Sequence, residues 1–297
     1  MIRLWVAISF ITVVPQLLAQ TAITVLFTNN TNGIAEICDC GTEPLGGLAR
    51  RKSFFESVQK QTPAVLKLDA GDFLDAFGFN AKKDELVIQL YRELGYDAVN
   101  IGDQEFANGS EFIRQQLLRS ELPLISANLG SGANPLSVKS RVVITRQNLR
   151  IGVVGYLPWS SFLYFSDKTK LPVKPYGDGL DQLQKSVDDL RPQVDLLIVL
   201  SQAGFENDVE WTKKIRGVDV VIGGHSQTEL TAPYRQSETV IVQAGSGGTH
   251  VGKLDLVLRN KQWAVSNYRL VPLDSTIPED TKFRLAIDRF EKQKVKN

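Results

Sequence analysis

The chain has 297 residues, 43% of them hydrophobic and 23% charged, which is ordinary for a globular protein and leaves ample material for a large core. Its 34 Lys and Arg nearly cancel its 33 Asp and Glu. No global field therefore recruits nucleic acid or an anionic membrane surface, and both roles are set aside.

The N-terminus reads as a secretory signal over residues 1–19: Arg3, then the apolar run Leu4–Val14, then Leu17-Leu18-Ala19 before Gln20. That run is too short to span a bilayer, which needs about 20 residues. The protein is expected in the periplasm or outside the cell, with residues 20–297 as a single domain. Ile23–Thr28 then reads as a buried strand feeding the turn-rich stretch Phe27–Arg51. Further buried strands are predicted over Ala64–Leu68, Ala98–Ile101, Leu124–Ala127, Ile151–Leu157, Leu196–Leu200, Val218–Ile222 and Val240–Gln243. Helical spacing predicts helices over Leu48–Gln61, Lys82–Leu94, Ser110–Ser120, Leu180–Leu190 and Asn207–Ile215. Pro158–Pro175 reads as a long irregular loop, either a lid or a surface excursion. Near the end, Lys253–Arg259 and Trp263–Val271 form a hairpin signal around Asn260-Lys261, followed by an amphipathic helix over Ile277–Lys294. The pattern is α/β with mixed sheets.

Polar clusters follow five of the predicted strands: Asn30 and Asn32, then Asp69-Ala70-Gly71-Asp72, Gly102-Asp103-Gln104-Glu105, Ser201-Gln202 and Gly223-Gly224-His225-Ser226-Gln227. Strand ends in α/β folds gather such groups on one rim. The blocks GGLARR, LDAGDFLDAFG, YDAVNIGDQEFANG, VDLLIVLSQAG, VDVVIGGHSQT and VQAGSGGTHVGKLDL, in this order, resemble the metallophosphatase (calcineurin-like phosphoesterase) superfamily, in its secreted 5′-nucleotidase-like branch. The resemblance implies a four-layer α/β/β/α sandwich with two mixed sheets and a dinuclear metal centre that hydrolyses phosphomonoesters. It also implies that the C-terminal substrate-binding domain of full-length 5′-nucleotidases is missing.

Carried over residue by residue, the resemblance puts Asn30 and Asn32 where the family has Asp and His, and keeps the bridging Asp as Asp72. It turns the third motif's Asn and catalytic His into Asp103 and Gln104, makes the fourth motif's His Gln202, and leaves His225 and Gln227 for the fifth motif's pair. Only two histidines, His225 and His250, exist in the chain, so a dinuclear centre is not expected. One implied position, with Asn30, Asn32, Asp72 and Gln227, is too weakly charged for a metal. The other, with Asp72, Asp103, Gln202 and His225, suits one divalent cation, Mg²⁺, Mn²⁺ or Ca²⁺ rather than Zn²⁺. The amide of Gln104 exchanges no proton near neutral pH.

Three readings follow. The first is a catalytically impaired or inactive homologue that binds a small phosphorylated ligand, a metal or a protein partner. The second is an active hydrolase using one cation at Asp72, Asp103 and His225. The third is a redox or metal-handling module at Cys38 and Cys40, for which a local structural disulfide is the plainer account. Arg50 and Arg51, behind Gly46-Gly47, read either as anion ligands at a helix start or as solvated cations. His250 reads as a surface or hydrogen-bonded histidine.

Overall fold

The computed structural model describes residues 21–38, 43–76, 80–129, 138–164 and 178–294. The expected signal segment, Cys40 and most of the Pro158–Pro175 loop lie outside the described residues. In chain order the elements are β1 (Ala22–Thr28), β2 (Ile37–Cys38), β3 (Leu45–Gly46), α1 (Leu48–Gln61), β4 (Val65–Asp69), α2 (Ala81–Leu94), β5 (Ala98–Asn100), α3 (Gly109–Phe112) and β6 (Leu124–Ile125). Then come β7 (Arg141–Arg146), β8 (Leu149–Tyr156), α4 (Leu180–Leu190), β9 (Leu196–Ser201), α5 (Phe205–Trp211), β10 (Val220–Gly223), β11 (Tyr234–Gln236), β12 (Thr239–Val242), β13 (His250–Arg259), β14 (Gln262–Pro272) and α6 (Thr281–Lys294).

Two six-stranded sheets, ordered β14-β13-β1-β4-β5-β6 and β11-β12-β10-β9-β8-β7, carry the molecule. Both are mixed, as expected: β1, β4, β5 and β6 run parallel, while β13 pairs antiparallel with both β1 and β14. In the second sheet β8, β9, β10 and β12 are parallel between the antiparallel edge strands β7 and β11. The sheets face each other. Val25, Phe27, Leu66 and Leu68 of the first meet Ile151, Val153, Ile198 and Leu200 of the second in one fully buried core. The alternate side chains point the other way. Leu26 and Val65 pack under α1, α2 and α6, and Leu197 and Val199 under α4 and α5. Burial on both faces explains why these strands read as continuous apolar runs rather than alternating ones. The layers are therefore helix, sheet, sheet, helix.

Three expectations need correction. The helix predicted over Ser110–Ser120 is the short α3 followed by a π-helical turn over Ile113–Leu117. The helix predicted over Asn207–Ile215 starts earlier, where Gly204 at φ 88° opens it, and stops at Trp211. Strand β7 is absent from the predicted set, since its exposed edge position carries Arg at both ends of a short run.

Gly252 shapes the first sheet. It pairs with Phe27, and a Cβ there would lie 2.0 Å from the Phe27 ring, which covers the glycine. Gly252→Ala is expected to lower stability by about 2–3 kcal/mol, the usual cost of overpacking a core, read as a lower urea midpoint at unchanged slope.

Candidate metal centre

The strand-end loops are fastened by backbone. After β1, the N–H groups of Asn30, Asn32 and Gly33 donate to the carbonyls of Gly71, Asp72 and Phe73 after β4, at 2.9, 3.0 and 3.0 Å. The turn before β13 joins them through Gly247 N–H to Asn30 O, 2.8 Å. Five residues of the rim, Asn30, Asn32, Asp72, His225 and Gln227, hold φ between 46° and 64°. Asn, Asp and His adopt this left-handed region more readily than other side chains, and Gln227 less so, so the loops store a modest local strain where the side chains converge.

Glu105 clamps two of the loops. Its carboxylate accepts from the N–H groups of Gly102 (2.6 Å), Asp72 (3.1 Å), Phe73 (2.8 Å) and Leu74 (3.1 Å). Burial pushes its pKa up to about 8 against those donors. Asn29 ties the site to the second sheet, accepting from Ala244 N at 2.8 Å and donating to Gly245 O at 2.7 Å. Sequence reasoning assigns neither residue a role; both follow strands, but only the tertiary contacts reveal what they hold.

Asp72 sits fully buried at the centre. Burial first, then the carboxylates of Asp103 and Glu105, hold its pKa well above the usual range. Gly102 must lack a side chain here, since a Cβ would lie 2.0 Å from Asp72 Oδ1. Asp103 Oδ1 lies 3.1 Å from His225 Nδ1. Asp72, Asp103 and His225 can each present a ligand atom with all three atoms within 4.8 Å of one another. Gln202, also fully buried, donates through Nε2 to Ala70 O at 2.9 Å and leaves Oε1 without a hydrogen-bond partner. Two carboxylates, an imidazole and an orphaned amide oxygen match the donor set of a hard or borderline divalent cation. The residues present therefore fit such an ion.

The remaining expected site residues behave differently. Asn30 is spent: Nδ2 donates to Asp72 Oδ2 at 2.9 Å and Oδ1 accepts from Asn29 at 3.0 Å. Asn32 and Gln104 bury side-chain oxygens that have no partner, while Gln104 also offers its backbone N–H to Asp72 Oδ1 at 3.3 Å. Gln227 is exposed. Cys38, at the end of β2, is disulfide-bonded and not a free thiol; Cys40 lies outside the described residues. His250 lies 3.0 Å from Thr249 Oγ1 and is half-buried, as expected for a hydrogen-bonded histidine.

Neither reading of Arg51 holds. Its side chain is fully buried behind the β1 loop, donating to Thr31, Tyr91 and Tyr96 at 3.0–3.1 Å. Tyr91 and, through Tyr96, Thr28 relay it to Asp69, whose Oδ2 accepts from Thr28 at 2.5 Å and Tyr91 at 3.1 Å. Burial opposes the Arg51 charge, but the phenols of Tyr96 and Tyr91 and the Asp69 carboxylate raise its pKa on balance. Arg50 is also buried, bonded to the carbonyls of Pro44 and Leu273.

Under the second sheet, Asp208 is fully buried, accepting from Ser201 Oγ (2.5 Å) and Trp211 Nε1 (2.8 Å). Burial pushes its pKa up to about 7. The folded state thus holds a proton that the unfolded chain releases near pH 4, so this group's contribution is favourable at low pH and is lost as pH rises toward 7. Asp208→Asn should flatten that loss, leaving the variant about 1–3 kcal/mol more stable than the parent at pH 8 and no more stable at pH 4. Urea unfolding across pH 4–8 checks it.

No protein-family model matches the chain. It is 30% identical to a mouse (Mus musculus) 5′-nucleotidase across 98% of its own length and 58% of that protein's. To a snake venom 5′-nucleotidase of Naja atra it is 28% identical, across 91% of this chain and 57% of the other. The chain thus spans little more than half the length of these relatives. Among solved structures, a 5′-nucleotidase precursor of Thermus thermophilus superposes with a TM-score of 0.83 at 24% identity, over 93% of this chain and 59% of the other. The calcineurin-like phosphoesterase YfkN of Bacillus subtilis superposes with a TM-score of 0.72 at 17% identity, over 92% of this chain and 98% of the other. These likenesses in structure speak for the fold.

Proposed function

Starting from a chain that belongs to the 5′-nucleotidase-like branch of the metallophosphatase superfamily, we propose an extracytoplasmic protein that holds one divalent cation and binds a small phosphorylated ligand, with hydrolysis strongly impaired. The cation, Mg²⁺, Mn²⁺ or Ca²⁺, would be held by Asp72, Asp103, Gln202 and His225, and would supply Lewis acidity toward a phosphate oxygen. The observation that carries this reading is the hydrogen bond from Asn30 Nδ2 to Asp72 Oδ2 at 2.9 Å. The amide N–H occupies one acceptor position of Asp72 Oδ2, and Asn30, bonded at both ends of its side chain, brings no charge to a second cation.

Gln104 cannot pass a proton to a leaving group, and removing a general acid typically slows such reactions by roughly 10²–10⁴-fold. The N-terminal leader pattern supports the location, and no helix among the described residues is long and apolar enough to cross a membrane. The hydrolase reading draws on the same Asp72, Asp103 and His225 cluster. Elemental analysis together with phosphatase assays over a panel of phosphoesters tests the proposal. The expected result is about one cation per chain with turnover near background; two cations per chain, or brisk turnover abolished by Asp72→Ala, would overturn it.

A further inference from the structure

We propose that a groove at the pole opposite the metal centre binds a polyanion carrying two or more phosphate or sulfate groups, a site that goes beyond the function above and does not depend on it. The groove encloses about 880 Å³, within the range of small-molecule sites. It opens where the second sheet's parallel strands begin, at Asp195 before β9, Asp219 before β10 and Thr239 of β12, and is closed by the β13–β14 hairpin tip. The metal centre lies at the other ends of the same strands.

The lining charges are unequally used. Asp219 is held by Arg191 at 2.6 Å and by the N–H of Leu197 at 2.7 Å. Asp195 accepts from Arg150 N at 2.8 Å, and Glu238 from Gln262 at 3.3 Å. Lys213 is paired with Glu210 at 2.5 Å. Three further lining cations, Arg216, Arg235 and Lys261, are exposed and have no carboxylate partner among the described residues. Asp195 and Glu238 are engaged only by neutral N–H donors and keep their charge, so five lining cations face three lining carboxylates and Glu210, a surplus of one positive charge that the groove's walls focus.

The hairpin tip adds a second sign. Asn260 and Lys261 are its two turn residues, both at positive φ, 49° and 65°. Such a turn favours glycine at the second place. Lysine there is held in a strained backbone at the mouth of the groove, the kind of local cost that accompanies a used side chain. Trp263, with its indole N–H fixed to Asp195 O at 2.8 Å, and Ile215 give the groove an apolar wall.

Inorganic pyrophosphate is the probe. Calorimetric titration into the cation-free full chain at low ionic strength should give saturable one-to-one binding that weakens with added salt. Arg216→Ala/Arg235→Ala/Lys261→Ala should lower the affinity at least tenfold. The control Lys60→Ala/Lys82→Ala/Arg289→Ala, which removes the same charge from exposed positions outside the groove, should change it less than twofold. Absence of saturable binding, undiminished binding by the groove variant, or an equal loss in the control would each overturn the proposal.

Discussion

Asp72→Asn is expected to make the cation-free protein more stable, by about 1–3 kcal/mol at neutral pH, and at the same time to weaken cation binding at least a hundredfold. The two effects have one origin. Asp72 is fully buried beside the carboxylates of Asp103 and Glu105, and like charges out of water repel strongly unless something positive joins them. Asn30 offsets part of that cost with a single N–H. Removing the charge relieves the rest, and removes a ligand. Thermal unfolding in chelator and in millimolar Mn²⁺ separates the outcomes: the parent should gain stability with Mn²⁺ through binding to the native state, and the variant should not. A variant less stable in chelator, or one stabilised by Mn²⁺ as much as the parent, would contradict the assignment of Asp72 as a cation ligand.

Arg51→Met should cost about 3–5 kcal/mol, the range for removing one partner of a buried ionic network. The guanidinium has no solvent contact, and its loss removes a donor from each of Thr31, Tyr91 and Tyr96 and leaves Asp69 without a counter-charge. Burial already lifts the Asp69 pKa to about 6, with Thr28 and then Arg51 pulling it down; without Arg51 it rises further. Asp69→Asn introduced with Arg51→Met should recover part of the loss, because no uncompensated charge then remains. A double-mutant cycle in urea measures the coupling. A single-variant cost below about 1 kcal/mol would mean the network does not hold the β1 loop.

Much of this arrangement is legible in the sequence for a definable reason. Strands such as β1, β4 and β9 are buried on both faces, so their residues read as unbroken apolar runs, and the polar residues that follow each run must lie at the rim. Asp72, Asp103, Gln202 and His225 are therefore recognisable by position. What stays hidden depends on contacts between distant segments. Nothing local distinguishes Arg51 from the solvated arginine of an amphipathic helix, because the hydroxyls that accept it as a buried cation come from Thr31, Tyr91 and Tyr96. Glu105 reads only as one more rim carboxylate; its grip on four amides emerges once β4 and β5 are side by side. Likewise, the orphaned oxygens of Asn32, Gln104 and Gln202 are properties of the packed state.

The left-handed backbone at Asn30, Asn32, Asp72, His225 and Gln227 bears on what this protein can become by mutation. A β-branched side chain at any of these places would meet a steric penalty, so single substitutions that keep the loops intact favour unbranched residues, among which Asn and Asp bear this backbone at least cost. Those two are a metal ligand and its amide counterpart. The fold thus leaves the chemistry of its rim free to drift between holding a cation and not holding one, by single exchanges of side chain, while the loops that aim those side chains stay where they are.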